Sequence, residues 1–251
     1  MTIDMASDLA MALDPSMVME AVGTPADPWQ RTTLTERTQN VLLNCSRQSG
    51  KSTTVAAKAV WTALYVPGSL SLCVSPSLRQ SGELYDKIGE TYKRVGAPIA
   101  VDSESAVRVK LANGSRVVSL PGTEATVRGY SAPSLVLVDE AARVSTEMIT
   151  ALRPMLAVSK GQLILMSTPF GRRGFFYEAW AGTEPWLRLK VPATDCPRID
   201  PNWLDEQRLG MSDWEFRQEY LCSFESNAAA FFDDALIDAA VDHGLEAFGV
   251  E

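Results

Sequence analysis

The sequence predicts an α/β fold: a mostly parallel central sheet covered by helices on both faces. Three observations carry that prediction. Short, wholly apolar runs (Val41–Leu43, Leu135–Val138, Leu163–Met166) have the look of strands buried on both sides. Longer stretches between them repeat their apolar residues at helical spacing. Strands and helices alternate along the chain, the pattern of parallel βαβ units.

In chain order, residues 5–22 place Met5, Leu9, Leu13, Met17 and Val18 near helical spacing, predicting an amphipathic helix broken around Pro25 and Pro28. A strand is expected over Val41–Asn44 and a helix over Ser52–Tyr65, ending before Pro67-Gly68. A strand over Leu70–Ser75 and a helix over Leu78–Val95 come next. Ala106–Leu111 and Arg116–Leu120 alternate apolar with polar residues across Asn113-Gly114, a hairpin signature. The strand Leu135–Val138, the helix Thr146–Leu156 and the strand Leu163–Met166 follow, and Leu187–Val191 is a candidate for a further strand. Residues 201–222 and about 233–241 read as helical.

Composition limits the function classes. The 251 residues are 46% apolar and 22% charged, enough for one large domain or two small ones and too apolar for a disordered chain. No apolar run approaches the roughly 20 residues that span a bilayer, and the first residues lack a signal peptide's basic start. Cys45, Cys73, Cys196 and Cys222 are scattered without a CxxC, arguing against a zinc cage or a disulfide framework. His243 is the single histidine, so histidine catalysis is not expected. These features suit a soluble, reduced, cytoplasmic protein. The net charge of −8 comes from the ends: residues 1–28 and 225–251 hold acids and no base, and the middle is mildly basic. That balance permits a nucleic-acid contact without demonstrating one.

The sharpest motif is Cys45-Ser46-Arg47-Gln48-Ser49-Gly50-Lys51-Ser52-Thr53, between an expected strand and an expected helix. It matches the last three positions of G-x-x-x-x-G-K-[ST], with Cys45 in place of the first glycine. Backbone N–H groups in such a loop wrap phosphate oxygens at the positive end of the new helix. Lys51 would neutralise the β- and γ-phosphates and the Ser52 hydroxyl would ligate Mg²⁺. Arg47 is placed to reach the γ-phosphate from the same subunit; a solvated loop arginine is the plainer alternative. The strand Leu135–Val138 delivers Asp139 and Glu140 at its carboxyl end, where open α/β sheets build their sites. Asp139 would hold the Mg²⁺ shell, and Glu140 would position or deprotonate the attacking water. Together these motifs point to nucleoside-triphosphate hydrolysis.

Ser46–Ser52, Val138-Asp139-Glu140-Ala141-Ala142 and Ser167-Thr168-Pro169-Phe170-Gly171, in that order, resemble the ATPase domain of bacteriophage large terminases over about residues 27–232. That family commonly carries an arginine-containing loop without the first glycine. The resemblance implies an ASCE/RecA-like P-loop fold with an inserted β-hairpin, and ATP and Mg²⁺ as ligands. It divides the chain into an N-terminal helical segment (1–26), the ATPase domain (27–224) and an acidic helix or linker (225–251) leading toward a nuclease domain that this chain is too short to include. By resemblance, Trp29 and Gln30 lie in an adenine-binding segment, Trp29 having core packing as its alternative. Ser167 and Thr168 sense the γ-phosphate and transmit hydrolysis, the alternative being a strand-ending turn. Arg128 acts as a finger entering a neighbouring subunit's site, the alternative being a solvated arginine. Arg172 and Arg173 suit either DNA phosphates or a solvated helix entry, and Glu219–Phe224 a packing element that closes the domain. Asp233, Asp234, Asp238 and Asp242 sit on an Ala-rich pattern better read as a solvated helix than as a metal cluster.

The function so implied is a motor subunit that packages double-stranded DNA, assembled as a ring on the capsid's portal protein, working with a small terminase subunit, in the host cytoplasm at the procapsid and without a membrane. Two alternatives are a superfamily-2-like helicase or repair ATPase, which needs a second motor-like domain, and a nucleotide-binding assembly module with little turnover. A small-molecule kinase fits least, for want of an arginine-rich lid.

Overall fold

A computed structural model describes residues 4–121, 127 and 129–225. Among these, eight strands form one sheet: β1 (Asn40–Cys45), β2 (Leu70–Ser75), β3 (Val101–Ser105), β4 (Arg108–Leu111), β5 (Arg116–Pro121), β6 (Leu135–Asp139), β7 (Gln162–Ser167) and β8 (Leu187–Val191). Their spatial order is β3-β4-β5-β2-β6-β7-β1-β8. Every pairing from β5 to β8 is parallel, and β3 and β4 add antiparallel strands at one side. The expected hairpin is thus β4–β5, and it is continuous with the main sheet because β5 also pairs with β2.

Period two along the strands sorts the core into two layers. Val41, Leu43, Leu135, Leu137, Ile164 and Met166 face one layer, made with α1 (Met5–Leu13), α2 (Met17–Ala21), α4 (Lys51–Tyr65) and α5 (Leu78–Arg94). Leu42, Leu72, Val136, Val138, Leu163 and Leu165 face the other, made with α6 (Thr146–Ser159) and α7 (Gly174–Ala181). Near-complete burial on both sides explains why these strands are apolar throughout rather than alternating. A small satellite core of Ala193, Leu204, Phe216 and Tyr220 packs α8 (Pro201–Leu209) and α9 (Asp213–Leu221). No helix among the described residues is long and apolar enough to cross a membrane.

Several boundaries depart from the sequence reading. The segment 5–22 is two helices, not one: Pro15 lacks an N–H, and the Asp14 carboxylate accepts bonds from the Ser16 amide and hydroxyl, which turns the chain. Pro28 begins a helix instead of breaking one. It is the first residue of α3 (Pro28–Thr35), where a missing N–H costs nothing, and Asp27 and Gln30 form the capping box. The stretch 201–222 divides at Gly210, and Ser212 with Glu215 makes a second capping box that restarts the helix. Strand β3 was not anticipated because its residues are exposed and polar. The helix expected at about 233–241 lies outside the described residues.

Side chains of α4 help to fasten the amino-terminal helices to the body. The Lys58 ammonium, buried on α4, donates to the carbonyls of Leu34 (2.6 Å) and Glu36 (3.1 Å) at the end of α3. Burial pushes its pKa down to about 8. Trp61 Nε1 donates to the Met11 carbonyl at 2.8 Å, which holds α1.

Gly161, between α6 and β7, passes so close to the preceding loop that a Cβ there would lie 2.1 Å from the Pro133 carbonyl oxygen. Gly161→Ala is therefore expected to lower stability by about 1–3 kcal/mol, several degrees in Tm. Gly82, inside α5, has nothing within 4 Å of the equivalent position. Gly82→Ala should stabilise by up to about 1 kcal/mol through helix propensity. Thermal melts of both variants check the pair, and an unchanged melt for Gly161→Ala contradicts the close approach.

Candidate active site

Because β1, β6 and β7 run the same way, their carboxyl ends open on one side of the sheet. β7 lies between the other two: Ser167 is level with Asn44 and Met166 with Asp139. The loop after β1, the acids after β6 and the Ser167-Thr168 step are therefore neighbours although far apart in sequence. A cleft of roughly 850 Å³ lies there, lined by residues 47–53, Gln80, Glu83, Lys87, Glu140, Arg143, Thr168 and Glu219. Adjoining it, a smaller hollow of roughly 340 Å³ is lined in part by Lys51, Ser52, Asp139 and Glu140.

The loop between β1 and α4 is wound tightly. Gln48 (φ 61°) and Gly50 (φ 95°) take left-handed conformations, and α4 starts at Lys51, so its free N–H groups face the cleft. A Cβ on Gly50 would meet Gln30 Nε2 at 3.0 Å, a second reason for glycine there. Cys45 is fully buried with an ordinary negative φ, which makes a side chain acceptable where related loops have glycine. Ser49 Oγ donates to the Ser46 carbonyl at 2.9 Å and closes the turn.

Lys51 Nζ stands 3.5 Å from Glu140 Oε1. Glu140 is itself left-handed (φ 50°), a strained backbone for a non-glycine residue and one that turns its carboxylate toward the loop. Its N–H donates to Asp139 Oδ1 at 2.9 Å. Burial raises the Asp139 pKa to about 6; Lys51 opposes that shift and Glu140 adds to it. Ser52 and Asp139 thus offer hard oxygen donors in one hollow, which fits Mg²⁺. Thr168 lines the cleft, and Ser167 Oγ donates to the Thr168 carbonyl at 2.7 Å, fixing the turn after β7.

The structure places other sequence candidates differently. Arg47 lines the cleft, but its Nε donates to Glu219 Oε2 at 2.5 Å. Gln30 is buried, and both ends of its amide are engaged: Oε1 accepts from the Asp27 N–H at 2.9 Å, and Nε2 donates to Thr54 Oγ1 at 3.0 Å. Neither it nor Trp29, which packs on the core, lines the cleft. Arg128 lies outside the described residues.

Sequence reasoning missed six contributors. Gln80, Glu83 and Lys87 form one face of α5 along the cleft; in sequence they are indistinguishable from a solvated helix face. Arg143 lines the cleft and its guanidinium stacks 3.9 Å from the Phe170 ring centre. Arg198 forks onto both Asp27 oxygens (2.9 and 2.6 Å) and donates to the Ser49 carbonyl at 3.1 Å, bracing the phosphate loop against α3. Glu219, read as packing, reaches the site itself. For Glu83, Lys87 and Arg143 the signal available was only their charge, and uncharged Gln80 offered none.

Residues 42–238 match the family described as terminase large subunit, T4likevirus-type, N-terminal. The chain belongs to that family. Among curated relatives, the large terminase subunit of Thermus phage G20c is 26% identical over 222 residues, covering 74% of this chain and 46% of that protein. The counterpart from Escherichia phage T5 is 29% identical over 208 residues, covering 79% and 46%. This terminase chain thus spans about half the length of the curated relatives it matches. In structure it is similar to the ATPase domain of the Thermus phage P74-26 large terminase (TM-score 0.73, 23% identity, 82% of this chain and 97% of that one). It is also similar to the large terminase of a thermophilic bacteriophage in complex with ADP (TM-score 0.68, 12% identity, 79% and 54%). The P-loop fold expected from the sequence is the fold these structures share.

The shifted carboxyl of this terminase has a measurable consequence. Its folded pKa, about 6, lies above its ordinary value of 3.8, so the folded state holds the extra proton between those pH values. Stability is lost as pH rises through that window, and the full cost persists above it. With divalent cations chelated, Asp139→Asn should match wild type near pH 4 and exceed it by on the order of 2 kcal/mol at pH 7. Denaturant unfolding across that range checks the sign; a variant that gains nothing as pH rises contradicts the buried, poorly compensated carboxylate.

Proposed function

We propose that this chain is the ATP-hydrolysing motor part of a phage large terminase, driving double-stranded DNA into a procapsid. The convergence of Lys51, Ser52, Asp139 and Glu140 on one cleft supports it above all.

The roles follow from placement. Residues 46–53 cradle the phosphates with backbone N–H groups, and Lys51 neutralises the β- and γ-phosphates. Ser52 and Asp139 would hold Mg²⁺, which when bound would offset phosphate charge. Before nucleotide arrives, Lys51 is the near cation of Glu140. Drawn to phosphate, the lysine leaves that carboxylate free to take the proton of the attacking water while the bond from the bridging oxygen to the γ-phosphorus breaks. Arg47 contributes positive charge from within the subunit, and Arg128 the same from a neighbour in the ring. Ser167 and Thr168, between the phosphate loop and the acids, relay the change at the γ-phosphate to the DNA grip. The portal protein and the small terminase subunit complete the assembly, at the procapsid in the host cytoplasm. Grip on a phosphate backbone is sequence-independent and salt-sensitive.

Glu140→Gln should keep ATP binding and lose about 10²–10⁴ in kcat, the worth of a general base. Lys51→Ala should lose binding or turnover. Steady-state phosphate release together with equilibrium ATP binding reads both. Equal release by wild type and Glu140→Gln favours the passive assembly module, and turnover retained by Lys51→Ala removes the phosphate-loop assignment.

A further inference from the structure

We propose that Arg143 is a further cation for the terminal phosphate of the nucleotide, acting within its own subunit, and that the Phe170 ring holds it ready. The inference rests on the reading of the cleft as a nucleoside-triphosphate site and adds two residues to it.

Arg143 ends the short 3₁₀ turn Ala141–Arg143 that follows the acids, and its N–H donates to the Glu140 carbonyl at 2.8 Å. Ala141 and Val144 are buried, so the turn is anchored by its backbone while Arg143 itself is exposed at the cleft. Among the described residues, Arg47 is paired with Glu219 and Lys51 with Glu140, but no carboxylate pairs with Arg143. Its contact is instead the Phe170 ring, with the guanidinium carbon 3.9 Å from the ring centre. Arg173 approaches the same ring at 5.2 Å. Phe170 is half-buried and follows closely on Thr168, which lines the cleft as Arg143 does.

An aromatic face occupies the flat side of a guanidinium and leaves the N–H groups in its plane free for an anion. Arg143 therefore meets phosphate without first giving up an ion pair, and its fork matches two phosphate oxygens. Its neighbours decide which phosphate. Residues 46–53 wrap the inner phosphates, whereas Glu140 and Thr168 mark the end of the cleft where the attacking water and the terminal phosphate meet. Negative charge on that end is present in ATP and absent in ADP, and it redistributes as the phosphoryl group passes to water. A cation there favours ATP over ADP and stabilises the transition state. Phe170 touches no substrate: it is a positioning residue that restricts the Arg143 side chain and acts only through it.

The test compares wild type, Arg143→Ala, Arg143→Lys, Phe170→Ala, Phe170→Tyr and the Arg143→Ala, Phe170→Ala double variant of this chain. Each is measured for ATP and ADP binding with Mg²⁺, for kcat and KM, and for retention on double-stranded DNA. Arg143→Ala is expected to weaken ATP by about tenfold or more, the worth of a charged hydrogen bond, and to change ADP by less than about twofold. Its kcat should fall by at least about tenfold. Arg143→Lys keeps the charge without the fork, so it should recover only part of the loss; it also carries the test if Arg143→Ala folds poorly. Phe170→Ala should lower kcat several-fold, Phe170→Tyr should restore it, and Phe170→Ala should cost nothing further once Arg143 is Ala. A Phe170→Ala loss that persists in the double variant overturns its positioning role. Unchanged ATP binding and kcat in folded Arg143→Ala, or equal weakening of ATP and ADP, overturns the role of Arg143. So does a loss confined to DNA retention, which would place the guanidinium on DNA phosphates instead. Failure of the underlying reading is distinguishable, since it shows as wild type that binds no ATP or as Lys51→Ala that retains turnover.

Discussion

The cleft depends on one topological constraint: β7 lies between β1 and β6, and all three run in the same direction. Parallel strands deliver their carboxyl ends to a common side, so a loop, an acidic pair and the turn after β7 meet without any long-range adjustment. The helix that starts at Lys51 adds its positive end to the same place. Left-handed backbone at Gln48 and Glu140 then turns the two segments toward each other. Reversing any one of those strands would carry its residues to the opposite end of the sheet.

The electrostatics of the cleft follow from that convergence. Two carboxylates and one ammonium crowd together at its inner end, with Asp139 poorly compensated. The surplus negative charge favours a divalent cation over bare polyphosphate. Lys87 lines the same inner hollow and offsets part of the Asp139 charge, while Arg47 and Arg143 line the larger cleft.

Much of the sheet was legible because strands buried on both faces must be apolar throughout, and Leu135–Val138 or Leu163–Met166 admit few other readings. The phosphate loop was legible because glycine, lysine and serine at fixed spacing have a physical job. What escaped notice shares a different property. Strand β3 is exposed and polar, so no hydrophobic pattern marks it. Helix α3 begins with a proline that also serves as a breaker, and only the capping partners Asp27 and Gln30 decide between the two. The bonds of Arg198 to Ser49 and of Arg47 to Glu219 join positions 149 and 172 residues apart. A single charged residue gives no hint of so distant a partner. The amide of Gln30 illustrates the converse: a residue type suited to reading a base is occupied in holding α3 to the phosphate-loop helix.

The outermost strand, β3, has a consequence for self-association. Among the described residues no strand pairs with its outer edge, and such an edge invites a strand from another molecule. Asp102 and Glu104 stand along it, and only Asp102 is neutralised, by Lys110 at 2.6 Å. An incoming strand would have to desolvate these carboxylates before gaining its ladder of bonds. The polar character that hid β3 from pattern reading thus doubles as a guard against fibre-like stacking, and it steers crowded copies toward contacts through helices and loops instead.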